Sequence, residues 1–182
     1  MAPLVHNLPL QDAESGLYHV IIETPKGSRN KYVYNEQFDL YQLRAVLPAG
    51  ASFPYDFGFI PSTLGEDGDP VDVLLLMDEP VYPGCLVQAR LLGVIAVEQT
   101  KDGNTLRNDR ILAVSAVSKL HQLLQDIKDL DKNLLDQIEH FFRSYNASRG
   151  QQFEVIGRYG VKKAEKLVSE GSKLFEQNKQ AS

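Results

Sequence analysis

Sulfur chemistry is nearly absent from this chain. Cys85 is the only cysteine among 182 residues, so no internal disulfide can form, and a thiol beside the Pro83-Gly84 turn reads as a small packing residue. Long apolar runs are missing too: the purest, Val73 to Met77, is far too short to span a bilayer. The first 20 residues lack the basic start and apolar run of roughly 7–15 residues that mark a secretory signal. A cytoplasmic protein without a membrane partner is the expectation. Positive charge is not in excess; the formal charge of −5 argues against nucleic acid or an anionic membrane as a partner. There is no repeat, low-complexity stretch or interdomain linker, and the length suits one domain over 1–182. A hydrophobic content of 43% is enough for that domain to bury a full core.

The first two-thirds of the chain read as β structure. Tyr18 to Glu23 is a strand closed by Thr24-Pro25-Lys26-Gly27-Ser28, and Lys31–Tyr34 and Leu40–Val46 form a hairpin ended by Pro48-Ala49-Gly50. Val71 to Met77 is almost continuously apolar, as a strand buried on both faces would be. Leu86 to Val97 is a long strand expected to pair with Ile111–Val114 across a polar loop over 99–109, and Phe153–Tyr159 is a last strand. Then the period changes. Leu134, Leu135, Ile138, Phe141, Phe142 and Tyr145 fall on one helical face, with Asp131 as the N-cap. Val161, Ala164, Leu167, Val168, Leu174 and Phe175 repeat that spacing after Gly160. A small β-barrel flanked by helices fits this order.

The most informative segment is Asp67-Gly68-Asp69-Pro70-Val71-Asp72, which puts three carboxylates on one tight turn; Glu66 makes four acids in seven positions. Such carboxylates repel one another unless water screens them or a cation is shared. Hard oxygen ligands of this kind suit Mg²⁺ or Mn²⁺. A calcium loop is excluded, because its sixth position requires Gly and Asp72 stands there. Taken alone, Asp-Gly-Asp also reads as a solvated turn. Lys31, Arg44 and Arg110 lie on separate predicted strands, and barrel closure would bring strands distant in sequence to one mouth. Acids opposite cations are the design expected of a phosphate-and-metal site.

At Gly58-Phe59-Ile60-Pro61, Glu66 through Leu74 and Pro83-Gly84-Cys85, with support from Ile21-Ile22-Glu23 and His140-Phe141-Phe142, the chain resembles the soluble family I inorganic pyrophosphatases. The likeness runs from about Tyr18 to Tyr159. It implies a mainly β fold with α, a five-stranded barrel of the oligonucleotide/oligosaccharide-binding type with flanking and C-terminal helices. It implies metal-dependent hydrolysis of diphosphate, with Mg²⁺ as the cation and Mn²⁺ as the alternative, and a homo-oligomer, commonly hexameric. By the same resemblance Asp67 and Asp72 look like metal ligands, Asp69 like the group that orients or deprotonates the attacking water, and Glu23 like the acid facing substrate-borne metal. Lys31, Arg44 and Tyr145 look like phosphate contacts, and Arg110 joins them.

The departures from the family pattern cluster at the site. Val33, Gln99 and Asn108 stand where acids are expected, Asn146 and Gln151 where lysines are, and Arg110 where a lysine is. Phe53 and Phe57 replace two tyrosines, with Tyr55 between them out of register. Asp109, one residue from a vacated acid, is expected to restore a metal ligand, because a slip inside a loop costs little; Glu98, inside a strand, is less suited. Acids and bases are lost together, which keeps open two other readings: a catalytically impaired paralogue acting as an oligomer partner, or a hydrolase of another phosphoanhydride.

Overall fold

The computed structural model describes residues 5–181; residues 1–4 and 182 of the expected domain lie outside the described residues. Strands β1 (Tyr18–Thr24), β4 (Asp56–Phe59), β5 (Asp72–Leu76), β8 (Arg110–Ser115) and β6 (Leu86–Lys101) pair in that order, after β2 (Asn30–Asn35) and β3 (Leu40–Val46) have formed a separate hairpin. Because β6 also pairs with β1, through Tyr18–Ala89 and Ile21–Leu86, the five strands close on themselves. Only β5 and β8 run parallel; the other pairs of the ring are antiparallel. The expected five-stranded barrel with helices is thus present.

β5 is buried on both faces, as its unbroken apolar run requires. Val73 and Leu75 join one core cluster with Val20, Ile22, Ile111 and Ala113, closed by Ala164 and Val168 of α2 (Val161–Ala181). Leu74 and Leu76 join the other with Leu112, Val114 and Phe57, closed by Leu135, Ile138 and Phe142 of α1 (Lys132–Ala147). The α1 stripe is therefore a packing surface, and Asp131 caps it by accepting the Asn133 N–H at 2.7 Å. In α2 the stripe holds through Val168, but Leu174 is 39% exposed; beyond Gly171 the helix runs past the sheet it covers.

Two parts of the sheet differ from the sequence expectation. β4 reads poorly as a strand because it contains Asp56 and Gly58. Yet Asp56 is buried, accepting the Lys26 N–H at 2.7 Å and the Val81 N–H at 3.2 Å, and burial pushes its carboxyl up. Gly58 is required: a Cβ there would lie 1.9 Å from the Ile21 carbonyl oxygen of the neighbouring strand. The span 99–109 is not a loop. β6 continues to Lys101, turns at Asp102-Gly103, both at positive φ, and returns as β7 (Asn104–Arg107). β9 (Gln152–Gly160) pairs along the outside of β6. The chain thereby brings the 66–72 turn, the β2–β3 hairpin, the β6–β7 hairpin and the end of α1 around one opening.

Candidate active site

The acidic turn is shaped by its own backbone. The Gly65 N–H donates to the Asp69 carbonyl at 2.7 Å, the Gly68 N–H to Gly65 at 3.2 Å, and Gly68 takes φ +88°, a conformation that suits only residues without a Cβ penalty. The Asp67 carboxylate accepts the Asp69 N–H at 3.2 Å, fixing these two acids side by side. Asp72 opens β5 opposite Phe59. Asp67, Asp69 and Asp72 line a cavity of about 780 Å³, whereas Glu66 is exposed outside it. Glu23 reaches the same cavity from β1, its carboxylate accepting the Tyr34 N–H at 2.7 Å.

The charges of these acids are held at a cost. Burial, then repulsion from Asp72 and Asp69, pushes Glu23 up to about 7, against the Tyr34 N–H and Lys31. Burial and Asp72 push Asp67 up to about 6. Burial raises Asp72 as well, although Arg110 opposes it. Carboxylates so placed bind either protons or a shared cation. Among the described residues no three His, Cys, Asp or Glu side chains form a ready metal cage. The donor set therefore fits a hard cation held by one or two carboxylates with water and phosphate oxygens completing it, which is the usual mode for Mg²⁺. Asp109 is not part of this set, contrary to expectation. Its carboxylate turns outside the cavity, where it accepts the Val97 N–H at 2.8 Å and pairs with Arg107 at 2.7 Å. Asn108 occupies the cavity wall instead, and Glu98 faces Arg107 across the hairpin ladder.

Lys31 and Arg44 line the cavity from the β2–β3 hairpin. The Lys31 ammonium stands 5.3 Å from the centre of the Phe57 ring and 5.6 Å from that of Tyr145. Tyr145 also lines the cavity, its hydroxyl accepting from Arg149 at 2.8 Å. Arg110 is almost wholly buried, with the Phe142, Phe57 and Phe153 ring centres 5.4, 5.8 and 6.0 Å from its guanidinium. Its Nη1 donates to Asp72 and to Asn108, so this arginine is first of all the counter-charge of Asp72. Sequence reasoning overlooked Arg149 and Lys101, both in the lining. The available signals were the four-residue spacing of Arg149 from Tyr145 and the Lys101-Asp102-Gly103 hairpin tip.

A sequence model of the family described as inorganic pyrophosphatase matches residues 20–176. The chain belongs to the inorganic pyrophosphatase family. It is 38% identical over 162 residues to the inorganic pyrophosphatase of Synechocystis sp., covering 89% of this chain and 94% of that protein. A crystal structure of the Thermus thermophilus inorganic pyrophosphatase superposes with a TM-score of 0.86 at 34% identity, covering 94% of this chain and 98% of that one. An inorganic pyrophosphatase from Neisseria gonorrhoeae gives 0.82 at 32% identity, with 93% and 98% covered. Soluble pyrophosphatases of this family depend on metal ions. No helix among the described residues is long and apolar enough to cross a membrane.

The positions read from the sequence as departures from the expected pattern fall in two places, the cavity lining and the core. Gln99, Asn108, Asn146 and Gln151 all line the cavity and bond to one another. Val33 and Phe57 line it as well, while Phe53 and Tyr55 are buried in the core. The lining thus has an acidic part and an amide-rich part, and Arg149 and Lys101 line the cavity as well.

Proposed function

We propose that this chain hydrolyses inorganic diphosphate to two phosphates with the help of a divalent cation, Mg²⁺ or in its place Mn²⁺. The observation that carries this reading is the convergence of Asp67, Asp69, Asp72 and Glu23 with Lys31 and Arg44 on one cavity. Asp67 and Asp72 would hold the cation, with Glu23 facing metal carried in by the substrate; a bound cation would lower the pKa of its water and neutralise phosphate charge. Asp69 is exposed and so open to water; its carboxylate orients the attacking water and accepts its proton. The water oxygen forms the new bond to phosphorus as the bridging P–O bond breaks, and the electron pair leaves on the second phosphate. Lys31 and Arg44 neutralise that leaving charge, with Tyr145 and Arg110 as further phosphate contacts. Rate then depends on positioning and electrostatics more than on covalent chemistry.

The relatives' names favour this enzyme over a silent paralogue or a hydrolase of another phosphoanhydride. A homo-oligomer, hexameric by resemblance, and a cytoplasmic site complete the reading. Val117, Leu120 and Leu123 are 72%, 77% and 86% exposed within one surface segment, which supports assembly. A phosphate-release assay with Mg²⁺ and diphosphate tests the activity. Asp69→Asn should lower kcat by about 10²–10³ with little change in KM; turnover at the unaltered rate would remove Asp69 from the mechanism.

A further inference from the structure

Asp72 and Arg110 meet because of strand register. β5 and β8 run parallel with Val73 opposite Ile111, so the residue before each, Asp72 and Arg110, stands level with the other on the cavity lining. Asn108 reaches the same place from just beyond β7. Gln99 orients its amide: the Asn108 Nδ2 donates to the Gln99 Oε1 at 2.8 Å, which leaves Oδ1 for the guanidinium.

The contacts gather on a single nitrogen. The Arg110 Nη1 donates to the Asp72 Oδ2, to the Asn108 Oδ1 and, at 3.3 Å, to the Asp109 carbonyl oxygen. Three oxygens thus surround an atom that carries two hydrogens. Arginine and carboxylate often pair through two parallel bonds from two nitrogens; among the described residues Asp72 takes its one hydrogen bond from Nη1. A carboxylate oxygen, an amide oxygen and a backbone carbonyl converging on one point are the hard donors that hold divalent ions in proteins. Packing fixes the charge there. The Phe142, Phe57 and Phe153 ring centres lie 5.4, 5.8 and 6.0 Å from the guanidinium carbon, and Nε is buried without a hydrogen-bond partner. A guanidinium keeps its charge at any working pH. Hemmed in this way it does not give way to an incoming ion, and Asp72 keeps only Oδ1 open.

We propose that the Arg110 guanidinium is a resident cation: it takes the place of a divalent ion between Asp72, Asn108 and the Asp109 carbonyl, so that the cavity binds one metal ion fewer than the same oxygens would without it. The identity of the excluded ion rests on the metal-dependent diphosphatase reading; the placement of the guanidinium does not.

Counting Mn²⁺ bound to the full chain by electron paramagnetic resonance tests this. Arg110→Met frees the three oxygens and fills the space between the rings, so the count should rise by one per chain. Adding Asp72→Asn to that variant should remove the extra ion. An unchanged or lower count in a folded Arg110→Met chain overturns the proposal, and so does an extra ion that survives Asp72→Asn, which would then bind elsewhere. Thermal melts in EDTA report whether each variant is folded. Asn108→Asp keeps the guanidinium and decides the matter should Arg110→Met fail to fold: the new carboxylate is answered by Arg110, so the count should stay as in the parent, and a gained ion overturns the proposal. A parent chain that binds Mn²⁺ but does not hydrolyse diphosphate with Mg²⁺ sinks the activity alone and leaves these counts standing.

Discussion

Glu23→Gln should stabilise the metal-free protein at alkaline pH and destabilise it once a divalent cation is present. The carboxyl of Glu23 rises from an ordinary 4.5 to about 7 in the folded chain, with burial as the first cause and Asp72 and Asp69 as the repelling neighbours. At 1.36 kcal/mol per pKa unit, the ionised group costs the fold about 3 kcal/mol. The sign follows from proton counting. Between the two values the folded state holds a proton that the unfolded state has released, so stability falls as pH rises through that window. Below about 4.5 both states are protonated and the cost vanishes.

Glutamine is neutral throughout and keeps the oxygen that accepts the Tyr34 N–H at 2.7 Å. Urea unfolding in EDTA should therefore find the variant more stable than the parent by about 2–3 kcal/mol at pH 8 and equal to it near pH 4. Saturating Mn²⁺ supplies the opposing charge, so the parent should gain more from the metal than the variant does. A variant that is less stable than the parent in EDTA at pH 8 would refute the electrostatic account. Equal gains from Mn²⁺ would remove Glu23 from the metal site while leaving its burial cost in place.

Arg110→Met removes a buried guanidinium and leaves the partly buried Asp72 carboxylate without its counter-charge. The variant should lose about 3–5 kcal/mol, a Tm drop of roughly 6–20 °C for a chain of this length, and Asp72→Asn in the same chain should restore most of it. A loss below about 1 kcal/mol would mean that the pair is not the anchor described here. Gly58→Ala drives a Cβ to 1.9 Å from the Ile21 oxygen and 2.9 Å from the Ile22 Cα, both backbone atoms that cannot swing aside. Denaturant unfolding should show a loss at or beyond the usual ~1–3 kcal/mol of core overpacking, and a neutral outcome would refute the close β1–β4 approach.

Periodicity made the helices and the doubly buried β5 legible, because each has a face, or two, that must be apolar whatever it packs against. What escaped were the places where a tertiary partner overrides a local pattern. β4 carries a charge and a glycine, and both make sense only once the Lys26 and Val81 N–H groups and the β1 backbone are in place. The β6–β7 hairpin has a legible Asp102-Gly103 turn, but its return strand, Asn104-Thr105-Leu106-Arg107, has almost no apolar signal. That misreading produced the error at Asp109. A loop would have let the carboxylate slip into the site, but the hairpin fixes Asn108 on the cavity wall. Asp109 instead takes the Val97 N–H, beside the point where the β6–β9 ladder shifts register.

The acidic turn and the cations opposite it were readable because charge is legible residue by residue, whereas the amide wall was not, because its meaning lies in pairing. Changing Gln99 alone to an acid would place a partly buried negative charge against Asn146 and Gln151, neither of which can supply a full counter-charge. Changing Asn146 or Gln151 alone to lysine would place a cation against the Gln99 amide, in a cavity that Arg149 and Arg110 also line. Each single step is unfavourable, so the four amides form a state that is stable as a set. The same logic explains why the acids that remain are those without a place in that set. Asp67, Asp69, Asp72 and Glu23 repel one another instead of pairing with the wall; Arg110 and Lys31 relieve part of that repulsion, and a cation from solution would relieve more. The amide-rich and acidic parts of the cavity are thus two separate electrostatic solutions, joined by the single guanidinium that touches both Asn108 and Asp72.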